Sequence, residues 1–382
     1  MIHPLLIAAL LCLNVAVSEV LVQKTFLRHL GTSLLVILIT AICANVGILP
    51  SASDGIPVYQ GVFTYIAPAA IFYLLLGVNF KDLAKAGFSI LAMFSIGAIG
   101  TSIGAIIALQ IVDLEGAVGE LYPAIAGMMT ATYIGGGVNY NAVAIHYNVM
   151  ENGNLFAGIA AVDNIMTAVW MVVSILAAKF FQSKFPRKKV ISGQNENVDT
   201  SSRDYETFDP QDLAMLFAIG GGVIWFSDVL ADWLVTIGLS IPSVIILTTI
   251  ALSLAQVPAI SRLAGAKVLG LFSVYLFLAV IGAYCDLSAM QEIGQLAGLM
   301  LLYIIIVMTV HGIITYGLGA LFKIDWDLVS VASQANIGGS GSAIALAKSL
   351  NRNDLLLPAI LAGSLGYGVG TYIGFIVAGL LG

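Results

Sequence analysis

Charged residues are scarce in this sequence: Asp, Glu, Lys and Arg make up 9% of its 382 residues, against about 25% in a typical soluble domain. With 59% hydrophobic residues and a mean hydropathy of +1.01, that deficit excludes an ordinary water-soluble enzyme and leaves little chain for a catalytic domain. Cysteine and histidine are also few, 3 and 4. Cys12, Cys43 and Cys285 have neither paired spacing nor His neighbours, so they read as packing residues and not as a disulfide framework or metal site. The net charge of -6 gives no sign of a nucleic-acid partner; where the charges fall matters more. The first apolar run lacks the basic n-region of a secretory signal, so it reads as a retained helix.

What the chain has is apolar length. Twelve apolar segments run approximately over residues 4–22, 30–49, 63–79, 88–112, 122–147, 155–181, 212–234, 241–258, 264–285, 296–322, 327–349 and 355–381. A span needs about 20 apolar residues, so the chain reads as a multi-pass, all-α membrane protein. A polar stretch, 182–209, carries Lys184, Arg187, Lys188 and Lys189 and separates two halves, 1–181 and 210–382. It has too few apolar residues to pack and reads as a cytoplasmic linker.

Charge placement decides how many segments cross. If all twelve span, no orientation keeps the basic loops on one side. If 122–147 and 327–349 instead enter and leave on the same face, an N-outside chain puts all fifteen Lys and Arg in the cytoplasm. Asp54, Asp113, Glu115, Glu120, Glu151, Asp286 and Glu292 then face outward, and the C-terminus is outside. The two exceptional segments are those with glycine breaks, Tyr133-Ile-Gly-Gly-Gly-Val-Asn139 and Asn336-Ile-Gly-Gly-Ser-Gly-Ser342. Ten crossings plus two re-entrant hairpins are expected.

Five crossings and a hairpin per half is an odd count of crossings, so a second copy must be inverted. Ile37-Leu-Ile-Thr40 aligns with Ile245-Ile-Leu-Thr248, and Ile134-Gly-Gly with Ile337-Gly-Gly; Ala142 and Ala144 follow the first break as Ala345 and Ala347 follow the second. Inverted repeats with matched broken helices point to a secondary transporter whose site lies where the breaks meet. Glycine allows such a turn without a Cβ clash, and each tip aims backbone N–H groups and a helix N-terminus at the cavity, which suits an anion such as a carboxylate.

These motifs, with Val162-Asp-Asn-Ile165 and Leu361-Ala-Gly-Ser-Leu-Gly-Tyr-Gly-Val-Gly-Thr371, resemble the YjcL-like family of polytopic membrane proteins over nearly the whole chain outside the linker. That family is similar in organisation to sodium/glutamate and citrate/sodium symporters, whose halves each carry a Gly-Gly-x-Gly hairpin. Gly338-Gly339-Ser340-Gly341 fits that pattern; the first break departs from it at Val138. The resemblance implies an ion-coupled transporter working as a homodimer, with a moving core against a static scaffold, in the inner membrane.

Thr132, Gly135, Gly136, Gly137, Asn139 and Asn141 are the expected solute residues of the first hairpin, and Asn336, Gly338, Gly339, Ser340, Gly341 and Ser342 those of the second. Thr130, Ser333 and Gln334 add polar groups nearby, though such side chains also join helices together. Asp163 lies within a spanning segment, where a carboxylate costs about 2.5–3.5 kcal/mol and marks an ion or proton path. With Asn164 it forms the expected coupling site, for sodium or a proton, and hairpin carbonyls could complete a sodium site. Ser364 and Tyr367 are expected to join the coupling-ion site; with Thr371 they share a helix face that either lines the cavity opposite Asp163 or serves glycine-rich packing. His146 and His311 are relay groups or, more in keeping with lone membrane histidines, packing residues. Asp228, Asp232, Trp225 and Trp233 suit an outer interfacial girdle. A passive channel is the competing reading. An intramembrane serine protease using Ser340 with His311 is a remote one, because it leaves the inverted halves unexplained. The expectation is a transporter of a small organic anion and not an enzyme.

Overall fold

The computed structural model describes residues 3–25, 27, 31–50, 56–78, 80, 86–187, 209–239, 241–285 and 290–382, the side chains of 290–293 and 295 excepted. Most of the linker, and with it Arg28, Lys81, Lys85, Lys188, Lys189, Arg203, Asp54 and Asp286, lies outside the described residues, as does the Glu292 side chain.

Among the described residues every regular element is helical. On the N-terminal side of the linker are α1 (Pro4–Lys24), α2 (Gly31–Asn45), α3 (Pro57–Leu75), α4 (Phe88–Leu109), α5 (Tyr122–Thr132), α6 (Gly137–His146) and α7 (Gly153–Lys184). On its C-terminal side are α8 (Pro210–Thr236), α9 (Ser243–Ala255), α10 (Ala266–Ala283), α11 (Met290–Leu321), α12 (Trp326–Ser349) and α13 (Leu356–Leu381). Eight helices are long and apolar enough to span: α1, α3, α4, α7, α8, α10, α11 and α13. Two of the apolar segments form shorter helices, α2 with 15 residues and α9 with 13.

Local chemistry sets several boundaries. Asp209, Asn152 and Asp325 cap α8, α7 and α12 by accepting from backbone N–H groups of the first turn, which satisfies donors that a helix start leaves free. Helix α3 starts earlier than the apolar run at 63 suggests, because Pro57 occupies its first turn, where a missing N–H costs nothing. Its middle, Val62–Ile66, widens into a π turn just before Pro68. Proline cannot donate back along the helix and crowds the preceding turn, and a local π turn accommodates it.

The helices pack in two groups. α1, α2 and α3 associate with α8, α9 and α10; α4 to α7 associate with α11, α12 and α13. Each group therefore takes the early helices, or the late ones, from both sides of the linker. Contacts between the groups are sparse, made chiefly by α7 with α10 and α2, α9 with α13, and α3 with α6. Within the second group, glycines bring backbones together. Gly97, Gly100 and Gly104 of α4 lie against α11, where a Cβ at Gly104 would stand 2.8 Å from Val307 O. On α13, Gly363 lies under Ser340, Gly366 under Gly135, Gly370 under Asn139 and Gly374 under Gly127. One glycine-lined helix thus supports both breaks, which is the close packing that small residues permit in membranes.

Candidate functional site

The first glycine run ends one helix and starts another. Residues 133–136 separate α5 from α6, with Gly135 at φ +131° and Gly136 at φ +111°. The second break is confined to Gly339, at φ 71° and ψ −170°, inside α12. Only glycine adopts such backbone conformations without strain. The two breaks touch: Gly135 N donates to Asn336 O at 3.0 Å, and a Cβ on Gly339 would stand 2.8 Å from Gly135 O.

Polar side chains behind the breaks hold this crossing. Asn139 Nδ2 donates to Gly366 O at 2.9 Å and its Oδ1 accepts from Thr371 Oγ1 at 2.9 Å. Asn336 Nδ2 donates to Phe94 O at 2.9 Å. Trp170 Nε1 donates to Ser333 Oγ at 3.0 Å, and Ser333 Oγ lies 2.8 Å from His311 Nε2. His311 Nδ1 faces Gly97 O at 2.9 Å. A carbonyl can only accept, so Nδ1 carries the proton and Nε2 accepts from Ser333. Thr101, 3.0 Å from the same Nδ1, donates to Tyr133 O at 3.3 Å. This chain ties α7, α12, α11 and α4 to the first break.

Two cavities open along the seam between the helix groups. The first, about 330 Å3, is lined from one side by Ser33, Leu34, Leu74, Leu271 and Tyr275, and from the other by Thr132, Gly136, Gly137, Asn141, Asp163, Asn164, Thr167 and Gly338. Among the described residues that line it, Asp163 alone carries an ionisable acid or base of the Asp, Glu, Lys or Arg type. The second, about 410 Å3, lies between Tyr73, Gly77, Ser261 and Lys267 on one side and Val138, Ser340, Ser364 and Tyr367 on the other. Tyr367 lines both; a Cβ on Gly339 would stand 3.6 Å from its Oη. Gly137 and Gly341, which begin the helices after each break, have open space where a Cβ would be.

Thr132 and Tyr133 lie within hydrogen-bonding reach of the Asp163 carboxylate, though Asp163 Oδ1 and Tyr133 Oη are buried and neither makes a hydrogen bond of good geometry. Gln334 Oε1, Gln334 Nε2 and Asn336 Oδ1 are in the same condition. Buried polar atoms rarely stay unpaired, so this concentration marks the crossing as a place for ligand or ordered water.

The expected site residues are thus brought together unevenly. Thr132, Gly136, Gly137, Asn141, Asp163, Asn164 and Gly338 share the first cavity. Gly135 and Gly339 are spent on the contact between the breaks, and Asn139 on bonds to α13. Ser340 and Ser364 line the second cavity, apart from Asp163, and Ser364 Oγ donates to Ile360 O within its own helix. Asn164 Nδ2 likewise donates to Ala160 O. Ser342 Oγ turns back to Gly339 O, and Thr371 serves Asn139. His311 meets Ser333 and not Ser340, and His146 packs edge-on against Tyr147 and Phe375. Thr167 was missed, although its spacing of one turn after Asp163 puts both on one face. Tyr133 and Tyr140 were missed as site residues because only the folded chain sets them beside Asp163.

Comparison with known proteins agrees with the resemblance read from the motifs. Residues 5–382 match the family model described as protein of unknown function (DUF819), and the chain belongs to that family. It is 31% identical over 345 residues to the uncharacterized membrane protein YjcL of Bacillus subtilis (strain 168), an alignment covering 86% of this chain and 84% of that protein. The chain is a multi-pass membrane protein of this family.

Proposed function

We propose that this protein is a secondary transporter, not an enzyme, which moves a small organic anion by alternating access in exchange for, or together with, sodium or protons. The observation that carries the reading is the meeting of two glycine-broken helices at Gly135 and Asn336 beside a cavity that holds one carboxylate, Asp163. Irregular backbone at membrane depth is tolerated where protein buries it or where it lines a water-filled cavity. Gly135 is packed against Gly366, and Gly136 and Gly137 line the cavity.

In this reading the segments 122–147 and 327–349 are re-entrant hairpins in two inverted repeats, with the N- and C-termini outside and the linker cytoplasmic. The short helices α2 and α9 fill the two remaining crossings. The seam between the helix groups is where a core of α4–α7 and α11–α13 slides against a scaffold of α1–α3 and α8–α10 in an elevator-type motion, within an inner-membrane homodimer. The open starts of α6 and of the second half of α12 receive the solute, because helix N-termini favour negative charge. Asp163 takes the coupling cation. A protease is disfavoured by the commitment of His311 to Ser333.

Purified protein in proteoliposomes, challenged with labelled carboxylates under imposed sodium or proton gradients, tests the reading. Saturable uptake that depends on the gradient and loses that dependence in Asp163→Asn is expected. Ohmic, gradient-independent flux would establish a passive channel instead.

A further inference from the structure

The two cavities along the seam carry opposite charge. Among the described residues that line them, the first holds Asp163 and no Lys, Arg or His, and the second holds Lys267 and no Asp, Glu or His. Four residues line both and so form the neck between them: Leu74 and Leu271 from one helix group, Val138 and Tyr367 from the other. A Cβ on Gly270 would stand 2.7 Å from Leu74 Cγ, so one side of the neck is tightly packed. On the other side the Tyr367 ring lies beside both breaks, 3.7 Å from a Cβ on Gly136 and, at Oη, 3.6 Å from one on Gly339.

The second cavity runs from the surface, where Ser261 and Lys267 are exposed, to the half-buried Ser340 at the second break. It offers donors and no acid. The Lys267 ammonium forms none of the ion pairs shown by the described residues, which all belong to Arg352. Asp212, on α8, accepts from Ala264 N at 2.9 Å and lies outside the lining. No hydrogen bond joins the Ser340 hydroxyl to another described residue, whereas the Ser364 hydroxyl is spent on Ile360 O. An ammonium and a free hydroxyl are donors suited to a carboxylate, and charge-assisted bonds are stronger than neutral ones. In the first cavity the same carboxylate would meet the like charge of Asp163, which an apolar surround screens poorly.

We infer that the second cavity holds the carboxylate of the solute, with Lys267 as its counter-charge and the Ser340 hydroxyl as a further donor. The first cavity is left to the cation and to the uncharged remainder of the solute. This rests on the transport reading for the ligand's role and narrows it: of the two helix starts beside the breaks, the one at Ser340 receives the charge, and Lys267, from the opposite helix group, completes the site. A site shared by both groups is assembled only while they stand in this relation. Sliding one group past the other would part Lys267 from Ser340 and release the anion.

The test is protection of an introduced cysteine by carboxylates in the purified full-length protein, with no gradient and no transport. Ser364→Cys reports on the second cavity, because its own hydroxyl is not among the proposed ligands; Thr167→Cys reports on the first. Each is labelled with the anionic sulfonatoethyl methanethiosulfonate in potassium chloride, or in potassium acetate, lactate, succinate or glutamate at equal ionic strength. Modification is followed at that residue by peptide mass, which separates it from Cys12, Cys43 and Cys285. At least one carboxylate should slow labelling at Ser364→Cys by roughly threefold, the size expected for one exposed charge pair, and leave Thr167→Cys unchanged. Lys267→Gln should remove that protection and Lys267→Arg keep it. Without carboxylate, Lys267→Gln should also slow the anionic reagent at Ser364→Cys relative to the cationic trimethylammonioethyl one, an effect that a lysine merely solvated at the surface does not produce. Size-exclusion profiles show which variants remain folded. The inference is overturned if no carboxylate protects, if both cavities are protected alike, or if folded Lys267→Gln keeps the parent protection. Protection that depends on Lys267, in a protein whose proteoliposomes carry no carboxylate under any gradient, would sink the transport reading and leave the anion site standing.

Discussion

The two broken helices solve one problem differently. At the first, four residues, 133–136, intervene between α5 and α6, and two of them have positive φ. At the second, one residue, Gly339, carries the whole deviation. Their bases differ more. Helix α12 is anchored by Arg352, which pairs with Asp325 at 2.6 Å, Asp327 at 3.1 Å and Asp354 at 2.7 Å in a nearly water-free cluster. Beside it Arg187 lies 3.8 Å from the Trp326 ring centroid and donates to Gly319 and Ile324 carbonyls. The base of α5 and α6 has a neutral substitute: Tyr122 Oη donates to Leu381 O at 2.9 Å, and His146 packs edge-on against Tyr147 and Phe375. One broken helix is thus fastened by charge near its start and turns sharply at a single residue. The other has a broader break and aromatic packing beside it, and the difference teaches that matched motifs need not be held by matched chemistry.

The largest expected effect comes from breaking the charged base. Arg352→Ala removes the guanidinium that pairs with Asp325, Asp327 and Asp354 and should cost about 3–5 kcal/mol, read as a loss of thermal stability; truncating Tyr122 to Phe should cost far less. Burial opposes the Arg352 charge, but the three carboxylates more than offset it and raise its pKa above the usual arginine value. A raised folded value means the stabilisation is complete below the unfolded pKa and is lost only as pH rises through the folded one. The Arg352→Ala penalty should therefore be constant through neutral pH, as a pH series of melting curves would reveal.

Next is Gly135→Ala. Its Cβ would collide with the Gly366 backbone at a φ that alanine avoids, so strain of about 1–3 kcal/mol adds to overpacking of about 1–3 kcal/mol. Gly339→Ala meets one carbonyl, Gly135 O, at 2.8 Å and should cost less; equal losses of stability would refute the asymmetry of the tips. Asn139→Ala leaves Gly366 O and Thr371 short of partners and should cost about 1–3 kcal/mol in denaturation experiments. The smallest effect on stability belongs to Gly137→Ala and Gly341→Ala, whose added methyl groups meet open space. Both should stay within about 0.5 kcal/mol of the parent yet reduce uptake if the proposed solute site is correct, an outcome that would separate them from the packing glycines.

Much of this architecture was legible in the chain. The apolar periods place the helices within a few residues, and the glycine runs mark both breaks. The carboxylate of Asp163 identifies the cavity, since a charge in an apolar segment is costly and faces the bundle interior or a water-filled space. Ser364 and Asn139 were harder. Both are polar residues near a break, but whether such a side chain faces a cavity or closes a helix contact depends on rotation about an axis that one sequence does not report. Asn139 turned inward to α13, and Ser364 turned to the second cavity.

The sequence by itself determined a multi-pass helical membrane protein with two interrupted helices, because hydropathy and glycine conformational freedom act locally along the chain. Only the tertiary structure decided that the interruptions touch, that one glycine-lined helix underlies both, and that Gln334 lies buried and unpaired behind Gly338. Those outcomes depend on contacts between residues about 170 to 230 positions apart, as from Asn139 to Gly366 and from Thr167 to Gly338. Such contacts are selected by which backbones can approach once neighbouring helices are packed, a condition that no local pattern contains.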